Sequence, residues 1–338
     1  MFWLQLAVVL AAIFIGARMG GVGLGVMGGA GLAVLSFVFN LKPTSPPIDV
    51  MLMIVAVVTA AASLQAAGGL DYLVRLAERI LRSRPSLITF MGPIVTYVFT
   101  LFAGTGHVAY SVLPVIAEVA RETGVRPERP LSISVIASQQ AITASPISAA
   151  TVAILGLIAG QNIELIDILK VCIPSTFLGV MIGAFVSNRL GEDLSTDKDY
   201  QRRLKEGFIP PVAARAVGAD VAAPITAKIA VAIFLLGALS VVFFGSYPHL
   251  RPGWLEAGKI TRMGMPITIE IVMLTTAALI ILLSRVKAED VFKGSVALAG
   301  NQAVVAIFGI AWMGDTFFAG NMDFLGGSIK SMVTSAPW

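Results

Sequence analysis

The chain has 338 residues, of which 57% are hydrophobic and 13% charged, against roughly 25% charged in an ordinary globular domain. With a mean hydropathy of +0.86, a fold of this size cannot cover itself in water. Disorder, nucleic-acid binding and a secreted disulfide scaffold are excluded, and the chain reads as an all-α polytopic membrane protein. The net charge of +4 fits cytoplasmic loops rich in Lys and Arg. The single cysteine, Cys172, permits no internal disulfide and reads as a small hydrophobe.

A helical span needs about 20 apolar residues. In chain order the apolar runs are Phe2–Ala17, Val22–Phe39, Val50–Ala67, Pro85–Ala117, Ser132–Ala159, Val171–Arg189, Ile225–Phe244, Ile267–Ser284 and Ser295–Met313. The first lacks a basic leader and a convincing cleavage site, so it reads as an uncleaved helix rather than a signal peptide. The stretch Asp71–Arg84 places Leu73, Leu76, Ala77, Ile80 and Leu81 on one face and basic residues on the other, the pattern of a surface helix. The Gly-rich run Gly16–Gly31 lies in a span and follows no strand, so it is read as helix packing and not as a dinucleotide loop.

Basic residues set the orientation. With the N-terminus periplasmic and Pro85–Ala117 entering and returning on one side, seventeen basic residues fall inside against four outside (Lys42, Arg251, Lys259 and Arg262), as the positive-inside rule requires. Pro85–Ala117 is therefore expected to be a re-entrant hairpin, and Ser132–Ala159 a broken helix. The segment Gly191–Pro224, with mixed charge and Pro210-Pro211, reads as a cytoplasmic linker.

Residues 1–190 form one repeat of three helices, hairpin, broken helix and closing helix. Residues 225–338 begin again with three spans entered from the opposite side. That is an inverted repeat, the usual build of a secondary transporter with a midplane site at interrupted helices. Counterparts of Pro85–Arg189 are missing from the second repeat, so the sequence is expected to be part of a longer protein.

Two interruptions carry the chemistry. Gly104-Thr105-Gly106 breaks the first long run just before His107. Freed backbone groups there must be satisfied by protein, water or ligand, and N–H groups opening a helix favour an anion. His107 either donates to a carboxylate and titrates, or packs as a neutral core histidine. The second interruption is Thr143-Ala144-Ser145-Pro146-Ile147-Ser148. Pro146 cannot donate to the Ile142 carbonyl and disfavours helix at Ser145. Its hydroxyls either hold a carboxylate without a fixed charge or bond to their own backbone. Gln65, Gln139, Asp315 and Thr316 are candidates for coupling or gating, with an interfacial cap as the plainer reading of Asp315. No Walker loop, HExxH or CxxC pair is present, and neither a metal, a cofactor nor an enzymatic activity is expected.

Gly16–Gly21 (GARMGG), Pro47–Val50 (PIDV), Gln65–Asp71 (QAAGGLD), Ala103–His107 (AGTGH), Arg126–Pro130 (RPERP), Ala144–Ala150 (ASPISAA), Ile173–Thr176 (IPST) and Ala311–Phe317 (AWMGDTF) together resemble the anaerobic C4-dicarboxylate transporter (Dcu) family of bacterial inner membranes. The resemblance implies exchange or uptake of fumarate, succinate, malate and aspartate, typically external fumarate or aspartate for internal succinate. It also implies paired hairpins with an elevator-like motion, and members that continue beyond Trp338. Family members can act with sensor kinases, but no surface for one is identified. A homo-oligomer is a further expectation. Rival readings are a sodium/proton or other organic-anion carrier, an intramembrane enzyme, and a non-transporting remnant.

Overall fold

The computed structural model describes residues 1–158, 161, 163–208, 224–256, 258–322, 324 and 325. It is mostly helical. The helices are α1 (Phe2–Met19), α2 (Gly23–Ala33), α3 (Ile48–Ala66), α4 (Gly69–Ser83), α5 (Ile88–Ala103), α6 (His107–Glu122), α7 (Glu128–Ala144), α8 (Ala149–Leu157), α9 (Leu165–Ser187), α10 (Lys198–Lys205), α11 (Ile225–Ser246), α12 (Met265–Ser284), α13 (Ala288–Val291) and α14 (Ser295–Gly320). Among the described residues eight helices are long and apolar enough to cross a membrane. Gly23–Val38 is apolar but shorter, with α2 continued by a π-helical stretch, Val34–Val38.

The helical architecture carries one short non-helical addition that the sequence reading did not anticipate. Gly253–Glu256 (β1) and Lys259–Arg262 (β2) pair as an antiparallel ribbon between α11 and α12. Four-residue strands inside a connector leave too short an alternation to be read from sequence.

Several boundaries also move. α4 begins at Gly69, two residues before the expected start, because Gly68 takes a left-handed conformation (φ 73°) as its cap. α7 begins at Glu128 rather than Ser132. α14 runs on to Gly320, so Asp315 and Thr316 lie within the helix instead of ending it. Ala159, most of the linker's second half and 326–338 fall outside the described residues.

The contacts divide the chain into two compact units. One comprises Met1–Val55 and Leu298–Trp338. Its core is Val9, Ala12, Leu32, Leu35, Met313 and Phe317. Here α2 crosses α14 on glycines: a Cβ at Gly28 would run into the Gly309 backbone, and one at Gly309 into the Gly25 carbonyl. Such close approach is how helices pack where lipid supplies no hydrophobic drive.

The other unit, Ala56–Ala297, holds the two expected interruptions. α5 and α6 form a helical hairpin whose arms bury Ile88, Val95, Phe99, Val112, Ile116 and Val119 together. α5 also packs along α7, where the buried Thr96 hydroxyl donates to the Ser134 carbonyl at 3.1 Å. α7 lies on α9, and Tyr97 from α5 bonds the Thr176 hydroxyl at 2.8 Å. α4 is clamped to α6 by Arg82, which meets Glu78 at 3.1 Å, Glu118 at 3.2 Å and Glu122 at 2.8 Å.

Candidate functional site

α5 ends because Gly104 turns left-handed (φ 69°), with its N–H still bonded to the Thr100 carbonyl at 2.9 Å. A residue with a Cβ meets strain there. α6 opens directly afterwards at His107, with Gly106 at its cap and no side-chain cap bond. Only the backbone of His107 is described.

α7 ends at Ala144 as the extended Ser145 (φ −79°, ψ 130°) turns the chain before Pro146, the conformation a following proline favours. α8 restarts behind Ser148, whose hydroxyl oxygen accepts the Thr151 N–H at 3.1 Å and donates to the Ile142 carbonyl at 2.6 Å. The Thr151 hydroxyl donates to the Thr143 carbonyl at 3.2 Å, and the Ile147 N–H reaches the Ser145 hydroxyl at 3.4 Å. Ser145, Ser148 and Thr151 are completely buried. Their hydroxyls satisfy the carbonyls and amides that the break sets free, including the Ile142 carbonyl that Pro146 cannot serve.

The two interruptions meet. A Cβ placed on Gly104 would stand 2.8 Å from the Ile147 carbonyl oxygen, inside contact distance. One on Gly106 would stand 3.4 Å from the Gln139 amide nitrogen and 3.4 Å from Ile142 Cδ1. The tip of the α5–α6 hairpin is therefore seated on the end of α7 and on the turn that follows it, and only glycine permits that approach at 104.

Of the remaining candidates, Gly104, Thr105 and Gly106 are half-buried, whereas Ala144 and Pro146 are buried beneath the turn. Thr143 is exposed, as are Gln139 and Gln140. The Gln139 and Gln140 side-chain amides make no hydrogen bond among the described residues, while Thr143 donates to the Gln140 carbonyl at 2.8 Å. Gln139 and Thr143 stand one turn apart on one face of α7. Gln140 and Ile136, on the adjacent face, line a cavity of about 380 Å³ with Ser175, Thr176, Gly179 and Val180 of α9. Every side chain named here is uncharged, and no cluster of His, Cys, Asp or Glu that could hold a metal occurs among the described residues. A buried hydroxyl one turn below Gly104, that of Thr100, has no hydrogen-bond partner among the described residues.

Of the coupling and gating candidates, only Gln139 stands at this meeting point. Gln65, at the end of α3, caps the start of α14: its amide nitrogen donates to the Ser295 hydroxyl at 2.9 Å and its oxygen accepts the Val296 N–H at 3.0 Å. In the other unit the buried Thr316 accepts the Thr44 N–H at 3.2 Å, and Trp312 donates to the Thr44 carbonyl at 2.6 Å. Asp315, beside Thr316, points to the exposed face of α14.

Residue chemistry alone gave no role to Arg126–Pro130. Arg129 grips the Leu190 and Gly191 carbonyls at 2.6 Å and 2.7 Å and the Asp193 carboxylate at 2.7 Å, while Arg126 meets Asp197 at 3.1 Å. The two arginines dock the segment after α9 on the start of α7. An Arg pair, each followed by proline, at the start of a helix was the visible signal, but its partners lie some sixty to seventy residues on.

The whole chain, residues 1–338, matches the family described as anaerobic C4-dicarboxylate membrane transporter. It is 45% identical over 334 residues to the C4-dicarboxylate transporter DcuA of Wolinella succinogenes, covering 99% of this chain and 76% of that protein. It is 41% identical over 339 residues to the C4-dicarboxylate transporter DcuA of Escherichia coli strain K12. It is 39% identical over 349 residues to the anaerobic C4-dicarboxylate transporter DcuB of Escherichia coli O157:H7. In both of these comparisons 100% of the chain and 76% of the relative are covered. No solved structure matches.

Proposed function

The chain belongs to the anaerobic C4-dicarboxylate membrane transporter family, and on that premise we propose that it carries C4-dicarboxylates across the bacterial inner membrane as a secondary transporter. Fumarate, succinate, malate and aspartate are the substrates of this reading, moved by exchange or by ion-coupled uptake. One substrate carboxylate is received where the two helix interruptions meet.

The observation that carries this reading is the seating of Gly104 and Gly106 on Ile147, Gln139 and Ile142. Two breaks that lie far apart in sequence are brought to one place, with N–H groups opening α6 on one side and exposed amides and a hydroxyl on the other. A half-helix N-terminus favours an anion. Gln139 and Gln140 stand exposed within an apolar span, and in hydrocarbon an unsatisfied amide costs several kcal/mol. That face of α7 is better suited to a water-filled path than to lipid. Within this site Gln139 and Thr143 are the side chains that reach substrate, Thr143 by exchanging its bond to the Gln140 carbonyl for one to the carboxylate, the N–H groups that open α6 supply further donors, and Ser145 and Ser148 keep the turn in shape. Neutral donors suit a transported ion, because the site is left uncharged when the substrate leaves.

The same reading makes the α5–α6 hairpin re-entrant, places the N-terminus in the periplasm, and pairs residues 1–190 with an inverted repeat beginning at 225. The test is counterflow. Proteoliposomes loaded with succinate and given labelled fumarate outside should accumulate label, and excess external malate or aspartate should block it. No accumulation by folded protein, with another anion accumulating instead, would overturn the C4 assignment.

A further inference from the structure

α11 and α12 are joined through the ribbon β1–β2, with only Tyr247–Pro252 before it and Met263–Gly264 after it. At about 3.5 Å per residue at most, so short a tether on the α12 side keeps the ribbon close to the helix end. In the pairing, Leu255 stands opposite Ile260 and Trp254 opposite Thr261, so Leu255 and Ile260 share a face. A two-stranded ribbon in water is marginal by itself and gains by covering such a pair. Here Leu255 is 76% exposed, Ile260 66% and Trp254 54%.

The ribbon is nevertheless held firmly. Its base is closed by the Met263 N–H donating to the Pro252 carbonyl at 2.8 Å. Arg262, on the face of Leu255 and Ile260, reaches back to the Arg251 carbonyl at 2.9 Å. Arg251 is buried and donates to the Phe244 carbonyl at 2.9 Å and to the Glu164 carboxylate at 2.6 Å. Through Arg251 the ribbon is bolted to the end of α11 and the start of α9. At the same end of α11 the rings of Phe243, Tyr247 and His249 follow one another at 5.2 Å and 6.0 Å. Aromatic rings gather in this way where a span leaves the hydrocarbon.

We propose that the ribbon is an interfacial anchor lying flat in the lipid headgroup layer. Leu255 and Ile260 press on the ends of the acyl chains, and the Trp254 ring sits among the headgroups. Three features of the ribbon and of the α11 end that holds it select lipid as the occupant. The exposed apolar pair shares its face with Arg262, which is tied to the ribbon's base at the Arg251 carbonyl, the tether is too short to lift it far from the helix end, and the rings of Phe243, Tyr247 and His249 mark the level. The anchor fixes the α11–α12 end at a constant depth.

The test labels Leu255→Cys, Ile260→Cys and Thr261→Cys, each in a Cys172→Ser background, with a nitroxide. The protein is reconstituted in phosphatidylethanolamine and phosphatidylglycerol vesicles. Labels at 255 and 260 should be reached by oxygen far better than by a water-soluble nickel chelate, and the label at 261 by nickel about as well as by oxygen. Free nickel access at 255 and 260 would overturn the proposal. So would dipolar broadening there that disappears on dilution with unlabelled protein, since a second copy would then be the occupant. As a check without introduced cysteines, brominated lipids should quench the native protein's fluorescence more than that of Trp254→Phe. Equal quenching of the two would also overturn it.

Discussion

At the scale of single residues, the hydroxyls of the second interruption divide by burial. Ser148 serves its own helix start and makes the shortest of the bonds to the Ile142 carbonyl at once. Ser148→Ala removes a cap and leaves a buried carbonyl poorly served, a loss of about 2 kcal/mol that denaturant unfolding in detergent will register. Gln139 has nothing of this kind to lose. Gln139→Leu should leave stability within about 0.5 kcal/mol and lower counterflow roughly tenfold or more, the worth of one hydrogen bond to a charged group. The buried hydroxyl of Thr100, without a partner among the described residues, gives a prediction of the opposite sign. Thr100→Val should unfold at the same or a slightly higher denaturant concentration, because an unsatisfied hydroxyl is exchanged for an isosteric methyl. A drop in stability would mean that the hydroxyl has a partner.

Elements are joined by charge outside the spans and by glycine within them. Arg82 binds three carboxylates from two helices. Burial works against its charge, but the Glu78 and Glu122 hydrogen bonds outweigh that and raise its pKa above the ordinary guanidinium value. Arg82→Ala would leave Glu78, Glu118 and Glu122 facing one another. We expect a loss of about 1 kcal/mol, reduced by solvent screening, seen as earlier proteolysis within α4. Asp197 links the segment after α9 to α7. The Tyr200 N–H, with smaller help from the Asp199 N–H, Arg126 and Arg203 and against some desolvation, holds its carboxyl below the usual aspartate value. A lowered pKa contributes stability above the unfolded value, and that contribution is lost as pH falls through the folded one. The protection of the Asp199 and Tyr200 amides, measured as exchange relative to the intrinsic rate at each pH, should therefore hold near neutrality and fall only in acid below the ordinary aspartate range, and Asp197→Asn should erase that step. In the other unit Gly309→Val would force α14 away from the Gly25 carbonyl. A loss of about 3 kcal/mol is the expected scale of such overpacking, read as a lowered melting temperature.

For the molecule as a whole, the features legible in the sequence were those written in local backbone chemistry. Gly104-Thr105-Gly106 and Ser145-Pro146 each break a helix by their own conformational rules, and both breaks fall where those residues stand. The amphipathic pattern of Asp71–Arg84 declared α4 in the same way. That the two breaks touch, that Ser148 faces inward while Gln139 faces outward, and that Arg129 reaches Asp193 all depend on packing between distant segments, to which local spacing is blind. The ribbon Gly253–Arg262 stayed hidden because it is short and its Leu255–Ile260 pair is left exposed, so no buried alternation marked it. Cys172 is the only cysteine, so a clean single-cysteine protein is readily made. The most direct test of the site replaces Thr143 with Cys in a Cys172→Ser background and measures its labelling by a membrane-impermeant maleimide in transport-competent proteoliposomes. Succinate and fumarate should slow the labelling in proportion to their occupancy while acetate does not. A labelling rate indifferent to every dicarboxylate, in protein that still exchanges them, would contradict a carboxylate site at the meeting of the two interruptions.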